Sequence, residues 1–381
     1  MRKKIAIFGS TGSIGTSTLN VVRRNPDLYE VSALVAGNNL ALLRRQIREF
    51  SPRHVYITDK ENRELLHEEF PALELYFGGR QGLDAIARSA DYDLGVSALV
   101  GIAGLSPTMQ MIQAGREVAL ANKEVLVTGG SLVMEAAARS GSRLLTADSE
   151  HSAIMQCLRG ENPARVSKLL LTASGGPFRE RAITDDITPE QALAHPTWKM
   201  GAKISIDSAT MMNKGFEIIE AMWLFHVPVS QIEVVIHRQS LVHSMVEFED
   251  GTIMASLSPA SMEIPLAYAL AFPDRLPAPA RLNLFDIGAL YFERPDFDKF
   301  PALRLAMEAA EAGLVAQIAL NAADELLVQA FLDKKISFTD ISRGLALALS
   351  LEAGPAPKTV DDILALDAQV RRRLGEKLGL A

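Results

Sequence analysis

The first 150 residues alternate between two kinds of apolar pattern. Residues 4–8 read as a short buried strand, its apolar run unbroken from Ile5 to Phe8, and a glycine-rich stretch follows. From 16 to 24 the apolar positions recur at helical spacing and stop near Asn25 and Pro26. A second strand is predicted over 31–36, broken at Gly37, and a second helix over 40–50. Strand-like runs recur at 54–58, 94–98, 117–120 and 143–147, with helical patterns between them. Strands alternating with helices predict a parallel sheet covered on both faces, here a Rossmann-like, doubly wound sheet over residues 1–147.

The middle of the chain reads differently. A strand over 167–172 opens a polar stretch, and residues 174–202 read as a lid loop. Runs at 234–236, 244–249 and 252–257 are β-rich. Glu249, Asp250 and Gly251 sit between the last two as a hairpin turn. These features predict a central α+β domain over 148–272, suited to a catalytic site or a dimer interface. Proline-rich residues 273–301 read as a connector, and 302–381 as a C-terminal helical domain. Thr359 and Asp362 have capping-box spacing, and Arg371, Arg372 and Arg373 are placed near that helix's end.

Composition narrows the function classes. A chain of 381 residues with 48% hydrophobic positions can build more than one core. Its net charge of −7 disfavours nucleic acid as a partner, so an anionic substrate needs a local basic patch. The single cysteine, Cys157, allows no intrachain disulfide and fits a reducing cytoplasm. The basic start has too short an apolar run for a signal peptide, and no apolar stretch reads as a membrane span. The expectation is a soluble cytoplasmic protein without a membrane partner.

The turn after the first strand is Gly9, Ser10, Thr11, Gly12, Ser13, Ile14, Gly15. In a strand–turn–helix setting this GxxGxxG spacing lets the backbone approach a pyrophosphate at a helix N-terminus. The second strand ends in Ala36, Gly37, Asn38 and Asn39, with no carboxylate to repel a 2′-phosphate, which favours NADPH over NADH. Arg44 and Arg45 read as surface helix residues rather than counter-charges. Asn122, Lys123 and Glu124 follow the strand at 117–120, where open α/β sheets place ligands.

Two acidic segments suggest a metal. Asp148 and Glu150 are read as alternating strand residues aimed the same way, an oxygen pair suited to Mg²⁺ or Mn²⁺. The competing reading is an ordinary acidic surface turn. Ser208 and Thr210 are placed at a helix start, followed by Asn213, Lys214 and Glu217, which share a helix face. Such a start suits a phosphate, and Glu217 adds a third carboxylate. A solvated ion pair is the alternative for Lys214 and Glu217. Ser174, Gly175 and Gly176 form a second phosphate-friendly turn. His195 precedes Trp198 and Met200, apolar residues in a polar loop, as in a closing lid.

Taken in order, the segments 9–15, 122–124, 148–151, 174–177, 195–198 and 207–217 resemble the 1-deoxy-D-xylulose 5-phosphate reductoisomerase family along essentially the whole chain. The resemblance implies a homodimer of the non-mevalonate isoprenoid pathway acting on a phosphorylated sugar, with NADPH and Mg²⁺ or Mn²⁺. It implies Asp148, Glu150 and Glu217 as metal ligands, and Ser174, His195, Ser208, Asn213 and Lys214 around the substrate phosphate. It further implies Lys123 and Ser149 on the substrate's oxygenated backbone, Trp198 and Met200 in the lid, and His151 and His243 near the site. Asn38 departs from a position often occupied by Lys, and Arg238 from one often occupied by Pro. Two other readings compete: a semialdehyde- or homoserine-type NADP dehydrogenase, the former needing a thiol nucleophile, and a non-catalytic NADPH sensor.

Overall fold

The computed structural model describes residues 1–198, 200–351 and 354–380. In chain order the first half contains β1 (Lys3–Phe8), α1 (Ser13–Arg24), β2 (Tyr29–Ala36), α2 (Leu40–Phe50), β3 (His54–Ile57), α3 (Lys60–Glu69), β4 (Glu74–Tyr76) and α4 (Gly79–Ser89). It continues with β5 (Leu94–Ser97), α5 (Leu105–Gln113), β6 (Glu117–Leu120), α6 (Glu124–Ser140), β7 (Leu144–Thr146) and α7 (Ser149–Cys157). Then follow β8 (Val166–Ala173), α8 (Pro189–Ala192), α9 (Ala202–Thr210), α10 (Met212–Phe225), β9 (Ile232–Ile236), β10 (Val242–Phe248) and β11 (Ile253–Leu257). The rest is helical: α11 (Glu263–Ala271), α12 (Leu284–Ile287), α13 (Pro301–Ala312), α14 (Leu314–Leu332), α15 (Phe338–Leu349) and α16 (Val360–Leu378).

Two compact units emerge. The first comprises residues 1–125, 133–152 and 261–277; the second comprises 126–132, 153–260 and 278–381. The sequence division at 147 is close to one boundary, but 261–277, which sequence alone divides between the central domain (to 272) and the connector (from 273), belongs with the first unit. The tie is α11: Glu263 accepts from Asn20 and Arg24 of α1, and Leu266, Ala269 and Leu270 are buried in the sheet's core.

The first unit is the expected parallel sheet, in the order β4-β3-β2-β1-β5-β6-β7. The order reverses between β1 and β5, the topological switch point where such sheets bind ligands. Ile5 and Ile7 of β1 are fully buried, as are Leu34, Val55 and Val96 of its neighbours. Burial on both faces explains the unbroken apolar runs. The three-residue edge strand β4 is too short and exposed to leave an apolar run, and the sequence reading misses it.

In the second unit a four-stranded sheet has the order β11-β10-β8-β9. β10 and β11 pair antiparallel across the expected turn, and β8 and β9 pair parallel. The capping box at Thr359 and Asp362 forms as expected. The helix it starts runs on to Leu378, so Arg371 sits mid-helix and pairs with Asp367 and with Glu325 of α14, away from the helix end. Contrary to the sequence reading, α14 is long and apolar enough for a membrane span by length and composition. Its apolar surface is explained by packing: α14 contacts α13, α15 and α16, and Ile318, Leu320, Ala322, Ala323 and Leu327 are fully buried.

Candidate active site

The first unit supplies a candidate nucleotide cradle. After β1, the N–H groups of Gly9 and Ser10 donate to the Val35 carbonyl at 2.9 and 2.8 Å. Gly9 has φ +98°, and a Cβ there would lie 2.4 Å from the Ala98 carbonyl oxygen after β5. A Cβ on Gly15 would lie 2.3 Å from the Gly9 carbonyl oxygen, so α1 can approach the turn only with glycine at that position. Ser10 is buried, Ile14 half-buried, and Thr11, Gly12 and Ser13 line the rim. No side chain among the described residues caps α1, which leaves its first-turn N–H groups available to an anion.

Gln46 of α2, which the sequence reading missed, is buried and donates to the Ser10 carbonyl at 2.8 Å. Its signal is a polar residue between Leu43 and Ile47 on the helix's apolar face. Gly37, Asn38 and Asn39 are exposed, and the Asn39 side chain caps α2 by accepting from the Leu42 N–H. Arg44 pairs with Glu69, in keeping with a surface role. Asn122 is buried after β6. Its amide donates to the Leu99 and Gly101 carbonyls and its oxygen accepts from the Val125 N–H, so it ties the two loops at the sheet's C-terminal end.

Asp148 and Glu150 depart from their expected setting. β7 ends at Thr146, Asp148 lies in the bend beyond it, and Glu150 is in the first turn of α7. Strand alternation therefore does not aim them; the helix start does. The Glu150 N–H donates to Asp148 Oδ1 at 3.3 Å, and Ser149 Oγ donates to Glu150 Oε2 at 2.6 Å. The buried Lys123 ammonium lies 2.8 Å from Asp148 Oδ2, and Nδ1 of buried His151 lies 3.8 Å from Oδ1. Burial pushes the Asp148 carboxyl up, but Lys123 and His151 together outweigh it and hold the group well below the usual carboxylate range. The carboxylate is thus ionised although its side chain is only 13% exposed, which an ordinary acidic turn does not require. Glu124, also buried, begins α6 beside Lys123.

In the second unit two helices, α9 and α10, meet at a corner. Ser208 and Thr210 are not at a helix start; they close α9, and α10 begins beyond Met211, whose φ is +65°. The expected helix start belongs instead to Asn213 and Lys214, in the first turn of α10. Thr210 Oγ1 still accepts from the first N–H of α10, at 3.3 Å. Asn213 Nδ2 donates to Glu217 Oε1 at 2.5 Å, and the Lys214 ammonium pairs with Oε2. Lys214 is 4% and Glu217 1% exposed, so this is not a solvated surface pair. A buried ion pair of this kind costs desolvation energy that a merely structural helix avoids. Glu220, one turn further on and equally buried, was missed; its signal is the i, i+3 spacing from Glu217.

The turn at 174–176 packs against that corner: a Cβ on Gly176 would lie 2.5 Å from the Ser208 carbonyl oxygen. Nδ1 of His195 accepts from the Thr197 and Trp198 N–H groups at 3.1 and 2.9 Å. That fixes the proton on Nε2, which donates to Ser174 Oγ at 3.0 Å. Burial, followed by the charge of Arg179, pushes the His195 ring down to about 4. Arg179, missed in the sequence, also donates to the Ser174 carbonyl at 3.2 Å. Trp198 meets buried His243 edge-on with ring centres 6.4 Å apart, and Met200 is half-buried. The expected lid is fastened over part of its length: Phe178 packs on Phe338, Asp185 accepts from Ser337 and Thr339, and Glu190 pairs with Lys334. Cys157 is buried and its thiol is pushed up to about 11, unsuited to a semialdehyde dehydrogenase's nucleophile.

A doubly wound sheet with an uncapped glycine turn, together with buried ammonium–carboxylate pairs, defines a nucleotide-dependent enzyme handling an oxygen-rich anion. The comparisons narrow the class. Three family models cover most of the chain: 1-deoxy-D-xylulose 5-phosphate reductoisomerase at residues 5–130, its C-terminal domain at 144–225, and the DXP reductoisomerase C-terminal domain at 257–373. The Shouchella clausii reductoisomerase is 47% identical over 98% of this chain and 99% of its own. That of Caldanaerobacter subterraneus is 48% identical with the same coverages. A crystal structure of DOX-P reductoisomerase with NADPH, fosmidomycin and magnesium matches at TM-score 0.93 and 40% identity, over 99% of this chain and 98% of that one. The Zymomonas mobilis enzyme with NADPH matches at 0.92 and 39%, over 99% of each. The chain belongs to the 1-deoxy-D-xylulose 5-phosphate reductoisomerase family.

Proposed function

We propose that the chain converts 1-deoxy-D-xylulose 5-phosphate to 2-C-methyl-D-erythritol 4-phosphate in non-mevalonate isoprenoid biosynthesis, using NADPH and Mg²⁺ or Mn²⁺. The observation that carries this reading is the near-full-length match to that one family. The residues fit both groups. The glycine turn and open start of α1 suit a pyrophosphate, and Asp148, Glu150 and Glu217 offer the oxygen donors a hard cation prefers. When bound, the metal supplies Lewis-acid polarisation of the substrate's oxygens and NADPH supplies a hydride.

The chain's own residues bind and orient. Ser174, Ser208, Asn213, Lys214 and His195 hold the phosphate. His195 is suited to donating from Nε2, because its other nitrogen accepts from the backbone. Lys123 and Ser149 contact the oxygenated carbon chain. The turn 9–15, with Gly37, Asn38, Asn39, Asn122 and Glu124, forms the cofactor side. Trp198 and Met200 close over the substrate and exclude water. Remote phosphate binding supplies energy for holding the reacting carbons in place. The protein is a cytoplasmic homodimer, a reading supported by its lone buried thiol and by the exposed apolar edge strand β11.

The test follows NADPH absorbance with 1-deoxy-D-xylulose 5-phosphate, with and without Mn²⁺ or Mg²⁺. Metal-dependent oxidation is expected, and Glu217→Gln should lose turnover while still binding NADPH. Full activity in metal-free buffer, or in Glu217→Gln, overturns the ligand assignment.

A further inference from the structure

A buried charge cluster lies behind the α9–α10 corner, on a helix over a hundred residues away in sequence. Lys203, in the first turn of α9, places its Nζ 2.6 Å from Asp207 Oδ2 on its own helix. The same Nζ lies 2.8 Å from Oδ2 of Asp324, at the middle of α14. It also sits 4.9 Å from the centre of the Phe216 ring on α10. Asp324 and Phe216 are fully buried and Asp207 nearly so. One ammonium therefore joins three helices at the point where α9 hands over to α10.

The neighbours of these anchors are the proposed phosphate residues. Asp207 adjoins Ser208, and its carbonyl accepts from Thr210 Oγ1, which in turn accepts from the first N–H of α10. Phe216 adjoins Glu217, the acceptor for Asn213 and Lys214. Surface packing does not call for this arrangement, because an apolar contact between α9 and α14 avoids the desolvation of three charges. What the cluster adds is direction: a charge-assisted hydrogen bond to a fixed carboxylate restricts the rotation and height of α9.

We propose that Asp324 is a positioning residue for the phosphate subsite, acting through Lys203 to hold the α9–α10 corner in register. The proposal rests on the reductoisomerase reading of that corner. Asp324 touches no substrate atom; it sets where Ser208, Asn213 and Lys214 stand. Losing it misplaces the clamp, and small misplacements of binding groups cost roughly ten- to hundredfold in kcat/KM.

The experiment measures KM and kcat for 1-deoxy-D-xylulose 5-phosphate, the NADPH dissociation constant and Tm for wild type and Asp324→Asn. The expected result is a KM raised roughly tenfold, with NADPH affinity within about twofold of wild type. Lys203→Arg keeps the charge but not the compact ammonium over Phe216, and it carries the same expectation if Asp324→Asn does not fold. A lowered Tm with unchanged KM reduces the cluster to a structural bond and overturns the proposal. So does an equal loss of substrate and NADPH affinity. A wild-type protein that does not oxidise NADPH with this ketose phosphate refutes the reaction assignment instead, and the proposal falls with it.

Discussion

At the scale of single residues, the candidate site depends on which protonation state each group is held in. His195 is the clearest case. Two backbone N–H groups point at Nδ1, so a second proton there would face donors instead of acceptors. Burial adds to this, and the charge of Arg179 acts in the same direction, leaving the ring at about 4 against an ordinary 6.5. A histidine depressed in the fold contributes stability that is fully present above the unfolded value and is lost as pH falls through the folded one. The window is therefore about pH 6.5 to 4. His195→Gln lacks that titration, so its Tm deficit relative to wild type should be largest near pH 7 and shrink toward pH 4. A deficit that stays constant across the window would mean that the ring is not held neutral by its surroundings. Asp148 runs the opposite way, with Lys123 keeping it charged.

At the scale of elements, the sequence was most legible where the period was long and the burial uniform. The parallel sheet, the hairpin between β10 and β11 and the capping box of α16 were all readable from pattern. Ends were less legible, and the site residues sit at ends. Asp148 and Glu150 were aimed by strand alternation, yet the strand stops at Thr146, because alternation says nothing about where hydrogen-bonded pairing ceases. The pattern places Ser208 and Thr210 at the start of a helix, yet they close one, because the break falls at Met211, an unusual residue for a left-handed turn. Arg179 carries no local signal and Gln46 only a weak one, a polar residue on an apolar helix face, since the partners of both are backbone carbonyls brought near by tertiary packing.

The turn after β8 offers a test of how tightly these ends are coupled. Gly176 has φ +68°, and a Cβ there meets the Ser208 carbonyl oxygen at 2.5 Å. Gly175, at φ +82°, would meet only side-chain atoms, the nearest at 3.3 Å. Gly176→Ala should lower stability by about 1–3 kcal/mol in denaturant unfolding and raise the KM for the phosphorylated substrate. Gly175→Ala should share the backbone strain but do less to KM. Equal effects on KM would show that the close approach to Ser208 does not govern the corner.

At the scale of the whole molecule, the edge of the second unit's sheet poses the remaining question. Edge strands present unpaired backbone groups, and proteins usually blunt them with charge, proline or a covering element. β11 does none of these. Ile253 is 50% exposed, and Met254 and Leu257 are each 37% exposed, so apolar side chains project from both faces of a strand with one free edge. Its partner β10 is well buried, so the exposure is confined to the last strand. A second copy of the chain is the economical cover, because a two-fold contact brings the same strand, with the same apolar residues, to both sides. Charge on that strand should then disrupt association without changing any of the candidate site residues. The proposed dimer predicts that wild type sediments at twice the chain mass of 41.4 kDa and that Ile253→Lys combined with Met254→Asp shifts this to the mass of a single chain. NADPH binding should persist, since the proposed cofactor turn lies in the first unit. If wild type and the doubly charged variant sediment with the same mass, β11 is not the contact of the proposed dimer.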